Sequence, residues 1–241
     1  EMAVDHEATL TFAMEAARWL DRYERDHDDD EAFRLMRLLV PVSKHVTTRK
    51  AVATASYAME IQGGNGYVDD FVTHRLYRDA QALPIWEGTA NILSLDVLRA
   101  MEKEAAHEPL IELVGERLAA VEHPFLEPLK ETVETEFEQL QEALLGLAVA
   151  DDETAQYAAK EITEYVYDVV TASLLLERAQ EHMDEGDARK AIVANLFVER
   201  ELDTGSTGVR TDATPAMDYF DAIVRYATLD ETDLPDDPLR T

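Results

Sequence analysis

The sequence contains no cysteine, and this absence excludes disulfide bonds, thiol nucleophiles and thiolate metal sites. Glycine and proline number only nine and eight in 241 residues, so few positions interrupt regular structure. No run of eighteen apolar residues occurs, and residues 1–20 lack the basic segment followed by an apolar segment that marks a signal peptide. Membrane insertion and secretion are therefore unsupported, and we expect a cytoplasmic protein.

Basic residues are also scarce, because 22 lysines and arginines stand against 51 acidic residues. The net charge is −29 and the pI is near 4.4. Such a charge repels nucleic acids and anionic membranes, so neither is an expected partner. Residues 1–105 carry 19 acidic and 12 basic side chains, whereas residues 106–241 carry 32 and 10. The chemistry is therefore expected in the first part.

The acidic residues are spread through every helical segment, which is typical of proteins from a salt-saturated cytoplasm. At about 1 M salt the Debye length is roughly 3 Å, so the repulsion between these charges is screened. The sequence therefore predicts a halophilic protein. The alternative is an acidic interaction surface, for which the charge would be expected in a single block.

Apolar residues recur three and four positions apart along most of the chain, which indicates amphipathic helices packed against each other. No segment has the pattern of a strand, so the expected fold class is all-α. The expected helices cover residues 2–25, 31–61, 74–81, 92–106, 151–183, 187–202 and 216–229. The aspartates at 28–30 suit a helix N-terminus, and Pro41 is expected to kink the second helix.

Each expected helix has a predicted core face. The predicted core positions of the first two helices are Leu10, Met14, Ala17 and Leu20, and then Leu35, Leu38, Leu39, Val42, Val46 and Ala53. Those of the helix from residue 92 are Ile92, Leu95 and Leu98. A further seam, with alternating spacings of four and three, consists of Val133, Phe137, Leu140, Leu144 and Leu147. Segment 204–214 and the tail after residue 230 are expected to be irregular.

Residues 62–67 read Gln-Gly-Gly-Asn-Gly-Tyr and follow the second helix. Three glycines in four positions indicate backbone that turns tightly or lies against a ligand. The plain alternative is a helix C-cap and loop. The segment is neither a Walker A loop nor a dinucleotide-binding fingerprint, because no strand precedes it.

Glu87 lies between Trp86 and Gly88, directly before a helix. A carboxylate against apolar walls tends towards a raised pKa and can take a proton from a weakly acidic C–H bond once water is excluded. The alternative is that Glu87 only caps the following helix. These two interpretations remain open on the residues alone.

Other candidate sites are weaker. The seven histidines have no metal-ligand spacing, so no metal is expected. Arg75 and Arg78 are candidates for a phosphate contact, and ion pairs with Asp69, Asp70 or Asp79 are the alternative.

The stretch from Glu60 to Leu98 resembles the C-terminal signature of acyl-CoA dehydrogenases. The matching pieces are residues 59–67, 75–80 and 85–89. Trp86, where many members have tyrosine, and the run 91–99 are similar to the alkylation-response branch, which carries an extra C-terminal helical domain. The resemblance implies two domains, a C-terminal helical bundle at 1–106 and an additional acidic helical domain at 107–241.

The resemblance also implies a function and partners. It implies a homodimeric or homotetrameric flavoprotein that binds FAD, dehydrogenates an acyl-CoA thioester and passes electrons to an electron-transfer partner. The N-terminal helical domain and the β-domain of such proteins are not in this chain, so the chain alone is expected to be inactive.

The resemblance assigns roles to ten residues. Glu87 matches the base that takes the α-proton, and Trp86 and Gly88 are the implied substrate contacts. The implied FAD contacts are Gln62, Gly63, Gly64, Asn65 and Gly66, on a neighbouring subunit's cofactor, together with Thr89 and Asn91. Asn91 departs from the glutamate or glutamine common at its position. The alternatives are a protective alkylation-response flavoprotein with little dehydrogenase activity and a catalytically silent helical assembly module.

Overall fold

In this computed structural model, residues 1–203, 215–235 and 238 are described, and they form eleven α-helices and no strand. The all-α prediction is confirmed. The helices are α1 (Met2–Arg25), α2 (Asp30–Ile61), α3 (Gly64–Tyr67), α4 (Thr73–Ala82), α5 (Ala90–Glu104), α6 (His107–Ala119), α7 (Glu127–Val149), α8 (Asp152–Asp184), α9 (Arg189–Glu201), α10 (Pro215–Asp218) and α11 (Phe220–Arg225). A 3₁₀ turn follows at Glu231–Asp233.

Most of the expected helices have the predicted bounds to within two residues, and three differences remain. The sequence predicts no bounds for α6 or α7, and the glycine segment contains the short α3. The helix expected at 216–229 is instead α10 and α11, because Tyr219 departs from helical geometry and Tyr226 adopts a left-handed φ of 58°. The irregular segment expected at 204–214 lies outside the described residues.

Aspartates begin the two longest helices. The Asp29 carboxylate accepts a hydrogen bond from the Ala32 amide at 3.0 Å, and the Asp151 carboxylate accepts one from Thr154 at 2.9 Å. These bonds satisfy amides that have no partner within the helix. The bond from Ala32 also lowers the pKa of Asp29. The prediction that the aspartates at 28–30 start a helix is confirmed.

Helix α8 lies at the centre of the hydrophobic core. Its buried side chains, among them Val166, Val170 and Leu174, belong to one cluster with buried residues of α1, α2, α5, α6, α7 and α9. This cluster crosses the predicted domain boundary between residues 106 and 107. The described parts of both segments are therefore packed together, and the division into two domains stays a prediction.

The predicted core face of α1 is wrong. Leu10, Met14 and Leu20 are 51%, 62% and 38% exposed, and Ala17 is also exposed. The buried face instead consists of Val4, Ala8, Phe12, Ala16 and Trp19.

The reason is that two carboxylates lie on the buried face of α1. Glu7 and Glu15 are each 5% exposed, and charged side chains normally indicate the solvent side of a helix. Glu7 accepts hydrogen bonds from Arg189 and Lys190, and Glu15 accepts them from Arg18, Trp19 and Arg117. Arg117 and Arg189 come from α6 and α9, so local periodicity could not reveal this compensation.

The other core predictions were correct in part. The α2 positions Leu35, Leu38, Leu39, Val42 and Val46 are buried, but Ala53 is exposed. In α5, Ile92 and Leu95 are exposed and Leu98 is half-buried, while Leu93 and Val97 are buried. The α7 seam is confirmed, with Val133, Leu140 and Leu144 buried and Phe137 and Leu147 packed against the core. Pro41 lies inside α2 without ending it.

Candidate functional site

The glycines at residues 63, 64 and 66 have different structural roles. Gly63 has a φ of +57°, which suits the turn after α2. Gly66 is buried, and a Cβ there would lie 2.2 Å from the Met59 carbonyl oxygen. Neither reason applies to Gly64, because its φ is not positive and nothing lies within 4 Å of its Cβ position. The C-cap interpretation therefore explains Gly63 and Gly66 but not Gly64.

Gln62 ends α2 and connects it to α4. Its side-chain oxygen accepts a hydrogen bond of 2.9 Å from the Thr73 hydroxyl. Gln62, Gly63, Gly64 and Asn65 are all exposed, so this edge of the bundle is open to a ligand or another chain.

Glu87 lies in the turn between α4 and α5. Its φ is 52°, in the left-handed region that residues with a Cβ rarely adopt. Glu87 and Trp86 are exposed, and so is Ile85. The described residues therefore do not enclose the carboxylate in apolar walls as the sequence suggested.

The capping interpretation of Glu87 also has no supporting contact. Thr89 is the N-cap residue of α5, and its side chain makes no capping hydrogen bond. In the part of the chain that the structure describes, the Glu87 carboxylate is without a hydrogen bond or ion pair to α5. Asn91 is exposed in the first turn of α5. Glu87, Thr89 and Asn91 are thus grouped at one surface with their side chains available.

Lys44 anchors this turn and was missed by the sequence reasoning. Its ammonium nitrogen donates to the Trp86 carbonyl oxygen at 2.6 Å and to the Gly88 carbonyl oxygen at 2.9 Å. The Leu83 carbonyl oxygen lies 3.4 Å away. The signal that could have found Lys44 is its neighbourhood on α2, where no acidic residue lies three or four positions away.

The ten predicted site residues form two separate groups. One group follows the C-terminal end of α2, at residues 62–66. The other lies beside Lys44, at residues 86–91. Lys44 and Gln62 are about 27 Å apart along the axis of an ideal helix. The two groups are therefore too far apart to hold the same small chemical group.

A cavity of about 670 Å³ lies between α2, α4 and α8. Its lining includes His45, Arg49, Tyr77 and Asp168, but none of the ten predicted site residues. Burial, and then the nearby charge of Glu201, raises the pKa of Asp168 to about 7. This perturbed carboxyl group lines the cavity and is separate from the ten predicted site residues.

Among the weaker candidates, Arg75 has an ordinary partner. Arg75 approaches Asp79 at 3.7 Å, as the ion-pair alternative predicted, and Asp69 pairs with His74 at 3.2 Å. Over the described ranges, no group of three or more histidine or acidic side chains could hold a metal ion. No helix in these ranges is long and apolar enough to span a bilayer.

The described residues form an all-α helical bundle. A glycine segment follows α2, and an exposed turn that contains Glu87 precedes α5. Residues 1–102 match the family described as acyl-CoA dehydrogenase, C-terminal domain. The recognition from residues 59–89 is confirmed.

Two curated relatives are similar to this chain. Acyl-CoA dehydrogenase family member 11 of Caenorhabditis elegans is 33% identical over 190 residues, which is 75% of this chain and 30% of the relative. Putative acyl-CoA dehydrogenase AidB of Escherichia coli strain K12 is 34% identical over 120 residues, 48% of this chain and 21% of the relative. The chain thus spans less than a third of the length of these relatives.

A solved structure extends the similarity into the second part of the chain. The crystal structure of Caenorhabditis elegans ACDH-11 in complex with C11-CoA aligns with a TM-score of 0.75 and 29% identity. The alignment covers 92% of this chain and 38% of that chain. Helices beyond residue 102 therefore have a counterpart in that protein.

Proposed function

We propose that this chain contributes the catalytic base to an FAD-dependent acyl-CoA dehydrogenase and that Glu87 is this base. The observation that carries the proposal is the turn at Glu87, where the carboxylate is exposed, uncommitted and held in a left-handed backbone conformation. Unusual backbone geometry in a residue with a Cβ tends to occur at functional sites. The resemblance of residues 85–89 to the family signature supports the same role.

The surroundings of Glu87 support a site that a partner completes. Ile85, Trp86 and Ile92, which lie within five positions of Glu87 in the sequence, are 61%, 60% and 59% exposed. An acyl chain and a second protein surface that covered these side chains would remove water from Glu87. Desolvation disfavours the charged carboxylate and so strengthens it as a base. The proposal therefore includes an acyl-CoA substrate, a homo-oligomer and an electron-transfer partner.

Residues of both groups suit a large cofactor. Gly64 has open space at its Cβ position, which lets backbone approach a cofactor closely, and Thr89 has an uncommitted hydroxyl at the start of α5. FAD, when bound, supplies the acceptor for the hydride that leaves the β-carbon. Glu87 takes the α-proton, so that the Cα–Cβ bond becomes a double bond. In this proposal Trp86 and Gly88 flank the thioester, and Asn91 lies near the cofactor. Gln62 to Gly66 approach the cofactor of a neighbouring subunit.

Replacement of Glu87 by glutamine tests the proposal, because it keeps the shape and removes the basicity. The experiment uses the complete gene product that contains residues 1–241, loaded with FAD. Glu87→Gln should leave the flavin spectrum intact and slow the bleaching of flavin by acyl-CoA about 10²- to 10⁴-fold. Glu102→Gln, at an exposed position of α5, is the matched control and should bleach like the parent.

Two outcomes would contradict the proposal. If Glu87→Gln bleaches as fast as the parent, the base is another residue. If neither protein bleaches with acyl-CoA thioesters of any chain length, the dehydrogenase function fails and a protective or assembly function takes its place. Nucleic-acid binding is not favoured for that role, because residues 106–241 carry 32 acidic and 10 basic side chains.

A further inference from the structure

Lys44 forms a bridge between the middle of α2 and the turn that carries Glu87. Its ammonium nitrogen lies 2.6 Å from the carbonyl oxygen of Trp86 and 2.9 Å from that of Gly88. These carbonyls belong to the residues before and after Glu87. One side chain therefore holds the peptide unit that precedes Glu87 and the peptide unit that follows Gly88, with Glu87 between them.

The local sequence offers Lys44 no other ionic partner. The positions three and four residues away on α2 are Val40, Pro41, Thr47 and Thr48, none of which is acidic. Within the described ranges, the ammonium makes no ion pair with the Glu87 carboxylate either. Lys44 therefore acts on the backbone of the turn and does not neutralise the carboxylate.

The backbone at Glu87 needs such an anchor. A φ of 52° brings the Cβ of an ordinary residue close to backbone oxygen, so the chain would otherwise relax to a more common conformation. Two charge-assisted hydrogen bonds to the flanking carbonyls oppose this relaxation. Because they hold the chain on both sides of Glu87, they also restrict the direction of its Cα–Cβ bond, and hence the region that its carboxylate can reach.

We propose that Lys44 is a positioning residue for Glu87, which holds the carboxylate in its reactive orientation through the carbonyls of Trp86 and Gly88. This proposal rests on the proposed function of Glu87. The part of the proposal that concerns structure, namely that Lys44 holds the turn, can be tested without an activity assay.

The structural test uses Trp86 as a reporter. The chain has two tryptophans, Trp19 buried in the core and Trp86 exposed in the turn, so 5-fluorotryptophan labelling gives two ¹⁹F NMR signals. Lys44→Met should shift or broaden the Trp86 signal and leave the Trp19 signal unchanged. Lys44→Arg retains N–H donors and should restore the parent signal of Trp86. An unchanged Trp86 signal in folded Lys44→Met would overturn the proposal.

Lys130 provides the matched control. Lys130 lies on α7, and its ammonium donates to the Val121 carbonyl oxygen at 3.1 Å. This is the same type of bond, away from the Glu87 turn. Lys130→Met should leave both ¹⁹F signals and the rate of flavin bleaching at parent values. If Lys130→Met changes the Trp86 signal or the bleaching rate as strongly as Lys44→Met, the effect is general destabilisation and the proposal fails.

The kinetic test uses the complete FAD-loaded gene product and a saturable acyl-CoA. Lys44→Met should lower the limiting rate of bleaching about ten- to hundredfold, because a displacement of about 1 Å in a reacting group is enough for such a loss. The acyl-CoA concentration at half-maximal rate should change less than threefold. Lys44→Arg should recover most of the rate. A loss confined to acyl-CoA binding would contradict a positioning role.

A double variant separates the two proposals. If Lys44 acts through Glu87, then Lys44→Met in a Glu87→Gln background should lower the rate less than threefold further. A full additional loss would mean that Lys44 acts on something else, and the positioning proposal would fail. If Glu87→Gln alone has no effect, the proposed base fails, whereas the ¹⁹F result still decides whether Lys44 holds the turn.

Discussion

Glu15 of α1 and Arg117 of α6 form a buried ion pair that joins the two parts of the chain. The two side chains are 5% and 3% exposed, and Glu15 also accepts a hydrogen bond of 2.6 Å from the Trp19 indole. Burial raises the pKa of Glu15, but the hydrogen bonds and charges of Arg18 and Arg117 outweigh this effect, so the pKa is lowered. The contribution of this pair to stability is therefore present above the ordinary glutamate pKa and is lost as the pH falls.

Removal of one partner of this pair should be costly. Arg117→Met leaves the Glu15 carboxylate buried with fewer donors, so we expect the free energy of unfolding in urea to fall by about 3 kcal/mol. The control is Arg225→Met, because Arg225 and Asp221 form an exposed pair with side chains 72% and 66% exposed. That variant should lose less than about 1 kcal/mol. Equal losses for the two variants would show that the buried pair has no special role.

Gly66 and Gly64 should respond differently to an added methyl group. Gly66→Ala forces a Cβ against the Met59 carbonyl oxygen, 2.2 Å away, and should destabilise the chain by about 2 kcal/mol. Gly64→Ala meets nothing within 4 Å and should change stability by less than about 0.5 kcal/mol. Urea unfolding of the two variants checks this difference. If Gly64→Ala also weakens FAD binding in the complete gene product, the cofactor contact gains direct support.

The folded chain should be more stable with glycine than with glutamate at position 87. The φ of 52° is strained for glutamate and ordinary for glycine, so Glu87→Gly should raise the free energy of unfolding by about 0.5 kcal/mol. Glu112→Gly, at an exposed position in the middle of α6, should instead lower it by about 1 kcal/mol. A Glu87→Gly variant that is more stable than the parent but no longer supports flavin bleaching would fit a strained functional residue. A destabilised Glu87→Gly would mean that the left-handed turn is not strained.

Asp168 should make the native state less stable as the pH rises. Burial, together with the charge of Glu201, raises its pKa to about 7, so between about pH 4 and pH 7 the folded chain binds a proton that the unfolded chain has lost. The stabilisation is complete below the unfolded pKa and disappears as the pH passes 7. Asp168→Asn should therefore be more stable than the parent by about 2 kcal/mol at pH 8, and nearly equal to it at pH 4. Urea unfolding at both pH values tests the direction of this change in stability. The control is Glu161→Gln, at an exposed position on the same helix.

The net charge of −29 should make stability depend on salt. Mutual repulsion of the carboxylates is strong in dilute buffer and is screened at about 1 M KCl, where the Debye length is roughly 3 Å. The melting temperature should therefore rise from low to molar KCl. A melting temperature that falls with KCl would remove the prediction of a halophilic protein and favour a localised acidic interaction surface.

Local sequence was sufficient for the all-α fold class, for the bounds of most of the expected helices and for the recognition of the family. The spacing of apolar residues predicted the long helices because residues three and four apart share a helix face. Asp29 and Asp151 were readable as helix starts because capping involves residues within three positions. The segments 62–67 and 85–89 carried their family signature in consecutive residues.

Tertiary structure alone decided which face of α1 is buried and how the Glu87 turn is held. Glu7 and Glu15 can lie in the core because each has an arginine partner there. These partners, Arg189 and Arg117, are 182 and 102 positions away along the sequence. Lys44 reaches the turn across 42 and 44 positions of sequence. A charged side chain is stable at a buried position only when another element brings its partner there, and the periodicity of a single helix holds no information about that partner.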